Sequence, residues 1–106
     1  MIVEYIRYVL KQHTGEELIA AYRAAAPHLD ALPDCLGYEL SQCDEDATHF
    51  ILRIEWTSAD GHIKGFRGGP HFRPFLTAIR PFFSEIAEMR HYTPTAVQGG
   101  KLAAAE

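Results

Sequence analysis

Cysteine is scarce in this 106-residue chain, basic residues are outnumbered by acidic ones, and no long hydrophobic run occurs. The two cysteines, Cys35 and Cys43, fall on one expected strand, which would hold them ~26 Å apart and rules out a disulfide there. Neither has a second cysteine at ligand spacing, so no zinc site is signalled, and two free thiols fit a reducing, cytoplasmic location. Ten Lys and Arg face 14 Asp and Glu, a net charge of −4. That leaves no basic track for a phosphate backbone and excludes nucleic acid as the expected partner. No apolar stretch approaches the ~20 residues of a membrane span, and the opening MIVEYIRYVLK alternates without a cleavage site, so neither a membrane segment nor a signal peptide is expected. Six histidines are present (His13, His28, His49, His62, His71 and His91). None forms a His-x-His or His-x3-His pair, and no carboxylate stands beside two of them, so no metal ligand set is expected.

What the chain does carry is pattern. Over residues 2–11, Ile2, Ile6, Tyr8 and Leu10 share one parity with Glu4, and Val3, Tyr5, Arg7 and Val9 share the other. This predicts a strand with substantial side chains on both faces. Thr14 and Glu17 form a capping box for a helix with Leu18, Tyr22, Ala25 and Leu29 as its apolar stripe; Pro27 is expected to kink or end it. Residues 35–43 and 48–56 follow as a hairpin around an acidic turn. In its second strand Phe50, Leu52, Ile54 and Trp56 face one way, and His49, Ile51, Arg53 and Glu55 the other.

Ser58 is expected to cap a short helix running to Phe66 or Arg67. In it Gly61 and Gly65, one turn apart, thin one side and admit backbone or ligand. Gly68 and Gly69 stop that helix, and Pro70 suits the first position of another, with Phe72, Phe75, Leu76 and Ile79 inward. A last strand is expected over 85–92. The order β-α-β-β-α-β predicts an α+β, ferredoxin-like domain over residues 1–94: a four-stranded antiparallel sheet, with the second helical region split in two. Residues 95–106 carry no core pattern and are expected to be a flexible tail. The sheet face away from the helices is too apolar for open solvent, which predicts a homodimer packed sheet to sheet.

With Trp56-Thr57-Ser58 closing strand three and Gly69-Pro70-His71-Phe72 after the short helix, residues 1–94 resemble the antibiotic biosynthesis monooxygenase domain, also called quinol monooxygenase-like. The resemblance implies a dimeric α/β barrel and a pocket between sheet and helices. It also implies O2-dependent oxygenation of a phenol or hydroquinone, with no metal or other cofactor. Many members of that group have a histidine where this chain has Phe66. A haem-cleaving branch has an Asn near the end of strand one and a His on the last helix, where this chain has Arg7 and Leu76. Two other functions therefore stand beside the first: a non-catalytic dimeric module that binds a small ligand or answers stress, and haem degradation.

Oxygenation without a cofactor needs a base to remove a phenolic proton, a group to hold the resulting oxyanion, and a dry aromatic cavity. His62 is the first candidate base, since imidazole titrates near pH ~6.5, and it shares a helical face with Phe66. His71, at the start of the next helix, is the second. Trp56 and Phe66 are candidate cavity walls, and Arg67 a candidate clamp for an oxyanion or carboxylate. Tyr5 and Arg7 share a face of strand one; they either line the substrate pocket or pair across the dimer.

Overall fold

The alternation of strand one folds as expected. The computed structural model describes residues 1–101, in which β1 (Ile2–Val9), α1 (Gly15–Asp30), β2 (Cys35–Gln42) and β3 (His49–Trp56) lead to a short helix α2 (Gly61–Arg67). Helix α3 (Phe72–Ile79), a 3-10 segment (Arg80–Glu85) and β4 (Ile86–Tyr92) complete it. The four strands form one antiparallel sheet in the order β2-β3-β1-β4. Residues 93–100 form no strand or helix. Of the tail expected over 95–106, residues 102–106 lie outside the described part.

The core fills one side of the sheet. Ile6, Tyr8, Phe50, Leu52, Ile54 and Trp56 project from it onto Leu18, Tyr22, Ala25 and Leu29 of α1 and Phe75 and Ile79 of α3. At the start of α1, the Glu17 amide donates to Thr14 Oγ1 (3.2 Å), and the Thr14 amide donates to Glu17 Oε1 (2.9 Å). The helix does not end at Pro27. Three more residues follow, with the Ala31 amide donating to the Pro27 carbonyl at 3.1 Å. Pro27 is exposed and sits in the last turn, so its missing donor removes little, and the burial of Leu29 draws the turn on.

Two expectations around α2 change. It is wound as a π-helix, with the Gly68 amide reaching back five residues to the Ile63 carbonyl (3.1 Å), and Ser58 Oγ accepts from the Gly61 amide (2.9 Å). What approaches its thin side is Asp34. A Cβ on Gly61 would stand 2.8 Å from Asp34 Cγ, and one on Gly65 2.6 Å from Asp34 Oδ2. Asp34 is fixed by the Thr57 hydroxyl (2.8 Å) and amide (2.9 Å), so the glycines seat α2 against the β2 entrance and leave no room there for a ligand. Pro70 is not the first residue of α3. The wide α2 coil is followed by a turn over 68–71, and the helix begins at Phe72 behind His71.

The 3-10 segment, unforeseen in sequence, carries buried Glu85. Its Oε1 accepts the amides of Lys11 and Gln12 (both 2.7 Å) and His13 (3.2 Å), and its Oε2 meets His13 Nδ1 at 2.6 Å. Burial alone would raise the Glu85 pKa; the Gln12 and Lys11 amides and His13 outweigh it and hold the group at about 2, below its ordinary 4.5. A depressed acid contributes stability above its unfolded pKa and loses it as pH falls toward the folded value. Urea midpoints should therefore decline between pH 4.5 and about 2, and Glu85→Gln should flatten that part of the curve while lowering stability at neutral pH.

Candidate functional site

Glu4 is the departure in an otherwise apolar row. It shares the helix-facing parity of β1 with Ile6 and Tyr8 and is only 3% exposed. In the β1–β4 pairing His91 lies directly opposite Glu4, so both side chains stand on one face. In the β1–β3 pairing Glu4 opposes Ile54, which puts Trp56 on its diagonal. Trp56 Nε1–H donates to Glu4 Oε1 at 3.1 Å. A register shift between Arg7 and Tyr8 leaves Met89 opposite Ile6 and Ile86 opposite Tyr8, all on the helix side.

Helix α2 then lowers His62 onto this carboxylate. His62 is 5% exposed; its Nε2 lies 3.4 Å from Glu4 Oε1, and His91 Nε2 lies 3.5 Å from Glu4 Oε2. The His62 ring packs against Trp56 (centroids 4.9 Å apart) and His91 (4.9 Å), while Phe66 stacks on Trp56 at 5.2 Å. Burial lowers the His62 pKa, and His91 and Arg67 push it the same way against the pull of Glu4. Burial thus favours the neutral ring, whose Nε2 faces the Glu4 carboxyl group.

Beside the cluster is a cavity of about 220 Å³ between sheet, α2 and α3. Glu4, His62 and Arg67 are its polar lining; Ile6, Ile54, Phe66, Phe72, Phe75 and Ile79 supply apolar wall, and the exposed Phe83 and Met89 stand at its edge. A second cleft of about 160 Å³ reaches His62, Arg67 and His91 from outside. A larger groove of about 430 Å³ runs between α1 and β2, but it is more open and carries Arg23, Tyr38 and Glu39 with no histidine. The smaller cavity is the candidate site, because among the described residues a buried imidazole borders an aromatic wall there.

Of the residues singled out in sequence, the fold brings His62, Phe66 and Arg67 to the cavity; Trp56, expected as a wall, is fully buried behind them with its N–H on Glu4 and is off the lining. His71 stands apart, before α3, with its Nδ1 3.5 Å from that of His28. Tyr5 and Arg7 project from the far side of the sheet. Tyr5 receives the Arg53 Nε–H (3.3 Å) and meets Tyr92 edge-on at 5.5 Å, while Arg7 borders a depression with Ser41 and Ile51. The absence of ligand spacing gave no hint that Glu4, His62 and His91 converge. The signal was Glu4 itself, a carboxylate on the apolar parity of β1. Tyr8 and Tyr22, whose hydroxyls bond each other in the core, are not bases: burial pushes Tyr8 up to about 12 and Tyr22 higher still.

The antibiotic biosynthesis monooxygenase family model matches residues 1–78. Among curated proteins, the uncharacterized protein YczJ of Bacillus subtilis (strain 168) is 25% identical over 92 residues, spanning 87% of this chain and 97% of that protein. Among solved structures, Rv0793 from Mycobacterium tuberculosis superposes with a TM-score of 0.71 at 16% identity, covering 92% of this chain and 98% of that one. SnoaB, a cofactor-independent oxygenase from Streptomyces nogalater, gives 0.70 at 18% identity, covering 92% and 94%.

Proposed function

The chain belongs to the antibiotic biosynthesis monooxygenase family, and from that premise we propose that it oxygenates a small phenol or hydroquinone with O2 and no bound cofactor. The observation that carries this reading is His62, a neutral buried imidazole set between the Glu4 carboxylate and an aromatic cavity. SnoaB, of the same fold, is described as cofactor-independent.

In this chemistry His62 removes the phenolic proton, and Glu4 stabilises the imidazolium that forms. Arg67, on the cavity lining, holds the phenolate oxygen. The electron-rich anion passes one electron to O2, and the two radicals combine to a carbon-bound hydroperoxide. Loss of water then leaves a quinone, so one O2 is consumed and one H2O released per substrate. A cavity of about 220 Å³ with phenylalanine walls suits a small aromatic. Oxygen uptake with naphthols, anthrones and hydroquinones tests this reading. Uptake matched by quinone formation supports it, and no uptake with any of them overturns it.

Phe66, where the family resemblance implies a histidine, favours a second reading: a binding module that sequesters the same aromatic without turnover. Thermal shifts on ligand addition without O2 consumption would select it. Among the described residues no helix is long and apolar enough to cross a membrane, and two free thiols support a cytoplasmic setting.

The far sheet face supports a homodimer. Ile51 and Tyr92 are 40% and 50% exposed there beside half-buried Tyr5 and Val9, and the Arg53–Glu55 pair (2.8 Å) lies among them. Sedimentation should give twice the 11.9 kDa chain mass, and Ile51→Asp should shift it toward the monomer.

A further inference from the structure

We propose that Glu4, His62 and His91 form a binding site for a divalent first-row transition-metal ion. One ligand atom from each lies within 4.8 Å of the other two. Glu4 Oε1 lies 3.4 Å from His62 Nε2 and Glu4 Oε2 lies 3.5 Å from His91 Nε2, so each oxygen of the carboxylate stands about as far from a ring nitrogen as two ligands ~2.0–2.2 Å from one ion do. Two imidazoles and a carboxylate suit Zn²⁺, Co²⁺, Ni²⁺ or Fe²⁺ and discriminate against Ca²⁺ and Mg²⁺, which prefer all-oxygen shells.

The surroundings are those of a ligand set. Glu4 is oriented by the Trp56 N–H at 3.1 Å, and the strand pairing fixes His91 across from it. The outer cleft, bounded by Ile2, Ala59, Ile63 and half-exposed His91, opens the cluster to ions. Arg67 is the one cation bordering both spaces; it is exposed, so its charge is partly taken up by water.

An ion here binds His62 Nε2, and the ring then carries its single proton on Nδ1. Metal loading therefore removes the proton acceptor, and the site would act as a metal-sensitive brake on the chemistry above. Binding itself does not depend on that chemistry.

Co²⁺ titration of the chelator-treated protein, followed by visible d–d absorption and calorimetry, is the test. The expected result is one Co²⁺ per chain, with affinity lowered more than about tenfold in His91→Gln and in His62→Gln and unchanged in His28→Gln, which alters the other histidine pair. His91 is surface-accessible, so its replacement should leave the thermal melt in place. No stoichiometric binding overturns the inference. So does binding that survives His91→Gln or is lost in His28→Gln.

Discussion

Replacing His62 by Gln should lower kcat for oxygen consumption by about 10²- to 10⁴-fold while changing KM little. Glutamine occupies nearly the same volume and still offers a polar atom to Glu4, but it cannot take a proton. The loss thus falls on the deprotonation that makes the substrate electron-rich enough to reduce O2. Supplying a substrate already ionised in solution, at a pH above the phenol pKa, should restore part of the rate in His62→Gln. An unchanged rate in this variant would remove His62 from the chemistry and leave the cavity as a binding site.

The second large effect is on stability. Trp56 is fully buried, stacks on Phe66 at 5.2 Å, packs on His62 at 4.9 Å and donates to Glu4 at 3.1 Å. Trp56→Ala opens a cavity between sheet and α2 and should cost about 3–5 kcal/mol, lowering Tm by roughly 15 °C or more in a domain of this size. Trp56→Phe keeps most of the packing but takes the N–H from a buried carboxylate, a loss of about 1–3 kcal/mol. Chemical denaturation of the two variants separates the packing from the hydrogen bond. Equal midpoints for Trp56→Phe and the parent would mean that the Glu4 contact contributes nothing.

The elements were legible in sequence because each is written in local signals. The two parities of β1, the Thr14–Glu17 box and the stripe Leu18, Tyr22, Ala25 and Leu29 all have the periods that their backbones require. The π-winding of α2 was not legible, since Gly61 and Gly65 mark a close approach without saying that Asp34 makes it. The 3-10 segment was hidden for a related reason. Its anchor is Glu85, whose bonded amides lie more than 70 residues away at Lys11–His13.

The site was half legible. Trp56, His62, Phe66 and Arg67 are close in sequence, so one stretch revealed them. Glu4 and His91 reach the same cluster only through strand pairing, and register decides which face each side chain takes. The same rule sends Tyr5 and Arg7 to the far face, one residue out of phase with Glu4.

On the proposed function, the cavity beside His62 holds the aromatic substrate. A crystal structure with a slowly reacting naphthol or hydroquinone analogue tests it most directly. The analogue should lie against Phe66, Phe72 and Phe75, with its hydroxyl oxygen within hydrogen-bonding distance of the His62 ring and Arg67 on its oxygen side. An analogue bound in the α1–β2 groove by Tyr38 and Arg23, or on the Tyr5 face of the sheet, would contradict it.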